Sequence, residues 1–304
     1  MSPANLTVES LRVQGLSGRV LSATETEAPW SSILLLYGQH ASVERIANFA
    51  AALSRFGEVT CPDLAGFGGM DPVAATDRRT AIDGVADVLA ETVRMIYGER
   101  EFSIVAMSFG LAVAIRMLHR HEDLRPRVRL IVSVAGVTTG QDLRFMPGVR
   151  CALRATARIG ATRMASAGVN RWILKPAIVG FLCRRLARPR LDDLALAAEV
   201  RLWCSADWRT RLRTLAELLG PSQSSEVRLP TPVHHVAPSG DPYVEHQAVT
   251  ATLRHLFADV AVTHVDSGAH VPPSAASPHA CGEFLPDPVC NALRLVAAPR
   301  ALAA

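Results

Sequence analysis

Lysine is all but missing from this 304-residue chain: Lys175 is the only one, and arginine supplies every other basic side chain. That bias reads as the codon usage of a GC-rich genome. A net charge of +4 is too small to argue for nucleic-acid binding. Long apolar runs are lacking too, and none approaches the roughly 20 residues a membrane-spanning helix needs. The opening residues MSPANLTVES hold no basic segment followed by an apolar one, so no secretion signal is expected and a cytoplasmic protein is. Cysteine pairs are also missing. Cys61, Cys151, Cys183, Cys204, Cys281 and Cys290 are scattered with no CxxC, which predicts reduced, mostly buried thiols rather than a disulfide frame or a metal site. The glycines at 66, 68 and 69 superficially suggest a phosphate loop. No GK[ST] follows them and no acidic partner stands where a dinucleotide fold would need it.

What is present is a regular alternation. Leu6–Thr26 alternates apolar and polar residues around a Gly15-Leu-Ser-Gly18 turn, the pattern of an antiparallel hairpin at a sheet edge. Ser32–Tyr37, Glu58–Cys61, Phe102–Ala106, Arg129–Val137, Pro230–Val236 and Val260–Val265 read as short buried strands. Between them, Val43 to Leu53, Ile82 to Ile96, Leu111 to Leu118 and Val244 to Phe257 carry apolar residues at helical spacing. Gly57 and Gly98 stop the first two. A terminal helix is expected from Pro288 to Ala297. Strands alternating with helices predict an α/β fold: a mostly parallel central sheet flanked by helices.

The alternation breaks between 141 and 220. That stretch is helical in pattern and holds fifteen Arg plus Lys against six Asp plus Glu, a net +9 that leaves −5 for the rest of the chain. A helical insert between two sheet strands overlies the strand ends as a cap. The expected division is therefore a core of 1–140 and 221–304 with a cap of 141–220. Trp172, Ile173, Leu174, Ile178, Val179, Phe181 and Leu182 would line its inner side as a lid over an acyl chain. Arg184, Arg185, Arg188 and Arg190 would flank it, solvated or, on another reading, facing an anionic surface.

Chemistry concentrates where strands end. Ala106-Met107-Ser108-Phe109-Gly110 lies where a buried strand turns into a helix. So sharp a turn forces Ser108 into a strained backbone region and needs small residues two before and two after it, which Ala106 and Gly110 provide. It also aims a helix N-terminus at whatever reacts there. After the Val233–Val236 strand comes Ser-Gly-Asp241-Pro, and after the last strand comes Gly-Ala-His270-Val-Pro. Taken singly, Asp241 could cap a helix and His270 could be a loop histidine. Together, Ser108, Asp241 and His270 each follow a separate strand at one edge of the sheet. Asp266 is a rival acid in the same loop as His270. His234 and His235, adjacent in a strand, must face opposite sides. Asp63 suits bracing of its glycine loop.

The order Ser…Asp…His, with AMSFG at 106–110, SGDPYV at 239–244, GAH at 268–270, Tyr37-Gly38-Gln39 and the loop PDLAGFGGMD at 62–71, resembles the α/β-hydrolase superfamily in its serine esterase/lipase-like branch, with a helical cap. The resemblance spans nearly the whole chain. It implies Ser108 as nucleophile, His270 as general base and acid, and Asp241 as the residue that orients the imidazole. It also implies the backbone N–H groups of Gln39 and Phe109 as oxyanion donors. No metal or organic cofactor is implied, and the substrate would be a small acyl compound, apolar in character. Hydrolysis of an ester or thioester, acyl transfer and C–C bond cleavage share this constellation, and so would a binding protein on the same fold without turnover. Tyr37 departs from the histidine usual before the glycine, which puts the hydrogen bonding that supports the loop in question. Serine rather than aspartate at 108 points away from the superfamily's dehalogenases and epoxide hydrolases.

Overall fold

The computed structural model describes residues 4–25, 31–74, 80–186, 193–220, 227–272 and 277–297. The chain opens with β1 (Asn5–Val13) and β2 (Leu16–Thr24), then β3 (Ser32–Leu36), α1 (Val43–Leu53), β4 (Glu58–Pro62) and α2 (Ala81–Tyr97). β5 (Phe102–Met107), α3 (Phe109–Arg120) and β6 (Val128–Val134) follow. Next come α4 (Pro147–Gly160), α5 (Arg163–Gly168), α6 (Pro176–Leu186), α7 (Asp193–Ser205) and α8 (Trp208–Leu218). The sheet resumes with β7 (Val233–Pro238), α9 (His246–Leu256) and β8 (Val260–Val265), and the described residues close with α10 (Pro278–Cys281) and α11 (Asp287–Ala297).

One eight-stranded sheet runs β1-β2-β4-β3-β5-β6-β7-β8. β1 and β2 pair antiparallel, β2 meets β4 antiparallel, and every pairing from β4 onward is parallel. The edge hairpin has the expected place but a different turn. Val13 pairs with Leu16, so the turn is Gln14-Gly15, both at positive φ, as a two-residue hairpin demands. Gly18 lies inside the strand.

Every residue of β3, β5 and β7 is buried, as strands covered on both faces require. α1 and α2 turn their apolar faces to this core, and α2 is capped by Thr80, whose side chain accepts from the Asp83 N–H. The parallel registers Leu36↔Ala106, Met107↔Val134 and Val134↔Val236 bring the carboxyl ends of β3, β5, β6 and β7 to one rim.

Two expectations need correction. The six cysteines are free, but only Cys61, Cys281 and Cys290 are buried, and Cys151 is exposed on α4. The apolar residues expected to line a lid mostly face outward: Trp172, Ile173, Ile178, Phe181 and Leu182 are exposed, and only Val179 is buried. α6 packs on α7, and so short a helix cannot turn Ile178, Val179, Phe181 and Leu182 all to one neighbour, while Trp172 and Ile173 precede it. Arg188, Arg190 and Thr26, the last residue of the expected hairpin, lie outside the described residues.

Candidate active site

Ser108 caps the N-terminus of α3 with φ 48° and ψ −123°, a conformation that side-chain-bearing residues rarely adopt. Backbone hydrogen bonds hold it there. Its N–H donates to Val134 O at 3.2 Å, and its carbonyl accepts from Leu111 N–H at 3.1 Å and Val137 N–H at 3.0 Å. The small neighbour two residues on is required sterically. A Cβ on Gly110 would stand 2.8 Å from the carbonyl oxygens of both Leu36 and Tyr37. Gly38 plays the same part across the cleft: a Cβ there would lie 3.1 Å from Ser108 Cβ and 3.5 Å from its Oγ. The Gly38-Gln39 backbone therefore runs beside the hydroxyl. Phe109, the first residue of α3, has an N–H with no intrahelical acceptor available to it.

The loops after β7 and β8 meet this hydroxyl. His270 Nε2 lies 2.9 Å from Ser108 Oγ, and His270 Nδ1 lies 2.6 Å from Asp241 Oδ2. With an ionised Asp241, Nδ1–H donates to the carboxylate and leaves Nε2 to accept the serine proton. Tyr243 lies edge-on to the imidazole, centroids 5.7 Å apart. Asp241 is buried and takes two donors on each oxygen. Oδ1 accepts from the N–H groups of Tyr243 (2.8 Å) and Val244 (3.2 Å), and Oδ2 accepts from His270 and from His246 Nε2 (3.1 Å). Burial opposes its charge, but the bonds from His246, His270 and Tyr243 outweigh burial and hold the carboxyl well below the usual range. The rival Asp266 is exposed and accepts from Ser239 Oγ at 3.4 Å, away from the imidazole.

His246 is the member that sequence reasoning missed. Behind Asp241 the line continues inward: His246 Nδ1 lies 3.1 Å from His235 Nε2, and His235 Nδ1 lies 2.9 Å from Ser133 Oγ. An anionic Asp241 fixes the polarity of the whole line. His246 Nε2–H donates to it, His235 Nε2–H donates to His246, and the Ser133 hydroxyl donates to His235. Burial, followed by the nearby His246, pushes the His235 pKa down to about 3, so that ring is neutral. His234 faces the other side of β7 and meets Thr263 Oγ1 at 2.7 Å.

Tyr37 answers the question its residue type raises. It is fully buried, donates its hydroxyl to Asp63 Oδ1 at 2.9 Å and accepts from Leu64 N–H at 2.9 Å. Arg19 Nε donates to the other Asp63 oxygen at 3.0 Å. Burial, then the charge of Asp63, raises the phenol well above its ordinary pKa and keeps it a donor. Asp63 thus braces the glycine loop. Gly68, at φ 65°, comes so close that a Cβ would overlap Asp63 Oδ1 at 1.8 Å. Gln39 is tied down from the other direction, its Nε2 donating to Thr214 Oγ1 of α8 at 3.1 Å. Among the described residues, no group of three or more His, Cys, Asp or Glu is arranged to hold a metal ion. No helix among them is long and apolar enough to cross a membrane.

The sequence model of the Alpha/beta hydrolase family matches residues 30–283. The chain belongs to that family. Solved structures of several family chemistries share its fold. A haloalkane dehalogenase, DbeA from Bradyrhizobium elkani USDA94, superposes with TM-score 0.66 at 18% identity, covering 95% of this chain and 99% of that one. The epoxide hydrolase CorEH gives TM-score 0.62 at 17% identity, with 95% and 98% covered. The N-acyl homoserine lactonase AidH, in a complex with N-hexanoyl homoserine, gives 0.59 at 19%, with 88% and 90% covered. At such identities the likeness is one of fold. None of the curated proteins searched matches this sequence.

Proposed function

We propose that this chain is a serine hydrolase that cleaves an ester, thioester or related acyl bond through an acyl-serine intermediate. The reading rests on the unbroken line Ser108–His270–Asp241, 2.9 Å and 2.6 Å between heavy atoms, at the strained turn into α3. Ser108 Oγ attacks the carbonyl carbon while its proton passes to His270 Nε2. The tetrahedral oxyanion is received by the N–H groups of Gln39 and Phe109. His270 then protonates the leaving alcohol or thiol as the C–O or C–S bond breaks. Water, deprotonated by the same nitrogen, attacks the acyl-serine and returns Ser108 and the carboxylic acid. Residues 141–220 form the cap over this rim, and 1–140 with 221–304 form the catalytic core.

The nucleophile at 108 separates this chain in chemistry from its dehalogenase and epoxide hydrolase neighbours of similar fold. A serine makes an ester by acyl transfer and needs a carbonyl substrate with oxyanion donors, a role this reading gives to the Gln39 and Phe109 N–H groups. A fluorophosphonate probe tests the reading directly. It is expected to label Ser108 in the wild type, and Ser108→Ala is expected to lose labelling and at least about 10⁴-fold of p-nitrophenyl ester hydrolysis. An unlabelled Ser108, or a Ser108→Ala protein with wild-type rates, would overturn it.

A further inference from the structure

Arg211, on α8, is 6% exposed, yet its Nε, Nη1 and Nη2 are buried without a hydrogen-bond acceptor among the described residues. The ring centroid of Trp203 lies 5.3 Å from the guanidinium carbon. Among the described residues Arg127 and Arg154 also bury unpaired nitrogens, but only in Arg211 are all three so placed, and better-paired arginines show what is missing. Arg19 has Asp63 and Glu44, and Arg120 has Asp87 on two nitrogens. The acid nearest in influence, Glu199, is already engaged, one oxygen with His40 at 2.9 Å and the other with Arg45 at 2.6 Å. Burial lowers the Arg211 pKa to about 10, which still leaves a full cation at neutral pH. Burying so many charged N–H donors with no acceptor is disfavoured unless something supplies one.

The position of this cation matters as much as its isolation. One turn along α8, Thr214 takes the hydrogen bond from the Gln39 side chain. Both residues flanking Gly38-Gln39 feel the guanidinium. Burial lowers the His40 pKa, Glu199 opposes that, and the charge of Arg211 lowers it further. Tyr37 interacts electrostatically with Arg211 in turn. Gly38 backs onto Ser108 closely enough that an added Cβ would lie 3.1 Å from the serine Cβ. The cation thus stands beside the loop that runs past the nucleophile.

We propose that Arg211 binds a carboxylate carried by the substrate, so that the compound cleaved at Ser108 bears a second, ionised carboxyl group. The planar guanidinium fork matches a carboxylate with two parallel N–H···O bonds. A singly charged anion suits one unengaged cation with Glu199 nearby better than a doubly charged phosphate does. The cleavage half of this statement rests on the function proposed above; the binding half stands without it.

The test uses two isosteric pairs. In one, the carboxylate is on the acyl arm: mono-p-nitrophenyl glutarate against a neutral p-nitrophenyl ester of equal chain length. In the other it is on the alcohol arm: 4-carboxyphenyl acetate against 4-carbamoylphenyl acetate. Wild-type kcat/KM is expected to favour the carboxylate of one pair by about tenfold or more. Arg211→Met is expected to shrink that ratio by about the same factor, and Arg211→Lys to recover part of it. Equal ratios in wild type and Arg211→Met for both pairs would overturn the proposal, because a merely structural arginine lowers both rates together. Binding is read separately in Ser108→Ala. There the carboxylate-bearing ester of the pair that kinetics favours is expected to raise Tm more than its neutral partner does, and the Ser108→Ala/Arg211→Lys double variant to weaken that difference. Equal shifts within both pairs in Ser108→Ala would overturn the proposal even if no turnover is ever seen.

Discussion

The rim of the sheet and the helices between β6 and β7 treat charge and apolar surface in opposite ways. At the rim, buried Asp241 takes four donors and buried Asp63 takes Tyr37 and Arg19. On α8, the N–H donors of buried Arg211 find no acceptor among the described residues. The central strands β3, β5 and β7 bury every residue, whereas Met164, Trp172 and Phe181 are 89%, 68% and 59% exposed. Residues 143–191 hold eleven Arg and Lys and not one Asp or Glu. The rim is over-determined by contacts within the chain. In the helical stretch, among the described residues, Arg211 is without an acceptor and several large apolar side chains face outward.

The largest effect that would sharpen this contrast is expected at Asp241. Asp241→Asn preserves volume but removes the anion that orients His270 and fixes the direction of the histidine line behind it. Loss of about 10⁴-fold in kcat is expected, the size seen when an orienting carboxylate becomes an amide. Neutralising an exposed charge on α5, Arg163→Gln, should leave kcat within about twofold. Steady-state kinetics on a p-nitrophenyl ester decides. A loss below tenfold for Asp241→Asn would remove Asp241 from the orienting role and erase the difference between the regions.

Next in size is a pH effect seated in the rim. His235 has a pKa of about 3 in the fold against 6.5 in its absence. Between those values the unfolded chain binds a proton that the folded chain refuses, so stability rises with pH across the window. The contribution is complete above about pH 6.5 and is lost as pH falls toward 3, at most roughly 5 kcal/mol. Urea unfolding at pH 7 and pH 4 reads it. The wild type is expected to lose more stability between the two than His235→Gln, which keeps an amide in the line but does not titrate there. Equal losses would mean that His235 accepts its proton within the fold.

Much of this architecture was legible in the sequence, and the reason is local. Apolar runs of strand length, helix-spaced faces and a small-x-Ser-x-Gly turn each report their own structure. Strands of parallel type leave their carboxyl ends at one rim, so Ser108, Asp241 and His270 could be grouped before any contact was known. What stayed hidden depends on register and on packing at long range. His246 reaches Asp241 only because α9 begins as the Asp241 turn closes, and His235 meets Ser133 only because β6 and β7 align as they do. Tyr37 could be seen as a departure but not as the partner of Asp63. The outward face of α6 was misread because helical spacing shows that a face is apolar, not which neighbour will cover it.

The smallest effects concern two glycines and give the sharpest comparison, because the same added methyl group should act with opposite sign. At Gly110 the new Cβ meets two backbone carbonyl oxygens at 2.8 Å, and neither can swing aside without moving the end of β3. Gly110→Ala should therefore destabilise by about 1–3 kcal/mol, the range for overpacking against a rigid wall. At Gly168, in the helical stretch, φ is −62° and nothing lies within 4 Å of the added carbon. Gly168→Ala should stabilise by about 0.5–1 kcal/mol, since alanine loses less backbone freedom in a helix than glycine does. Urea midpoints at unchanged m-value measure both. If Gly110→Ala proved as harmless as Gly168→Ala, the turn carrying Ser108 would have slack. The strained geometry at residue 108 would then have to be held by its three backbone hydrogen bonds alone.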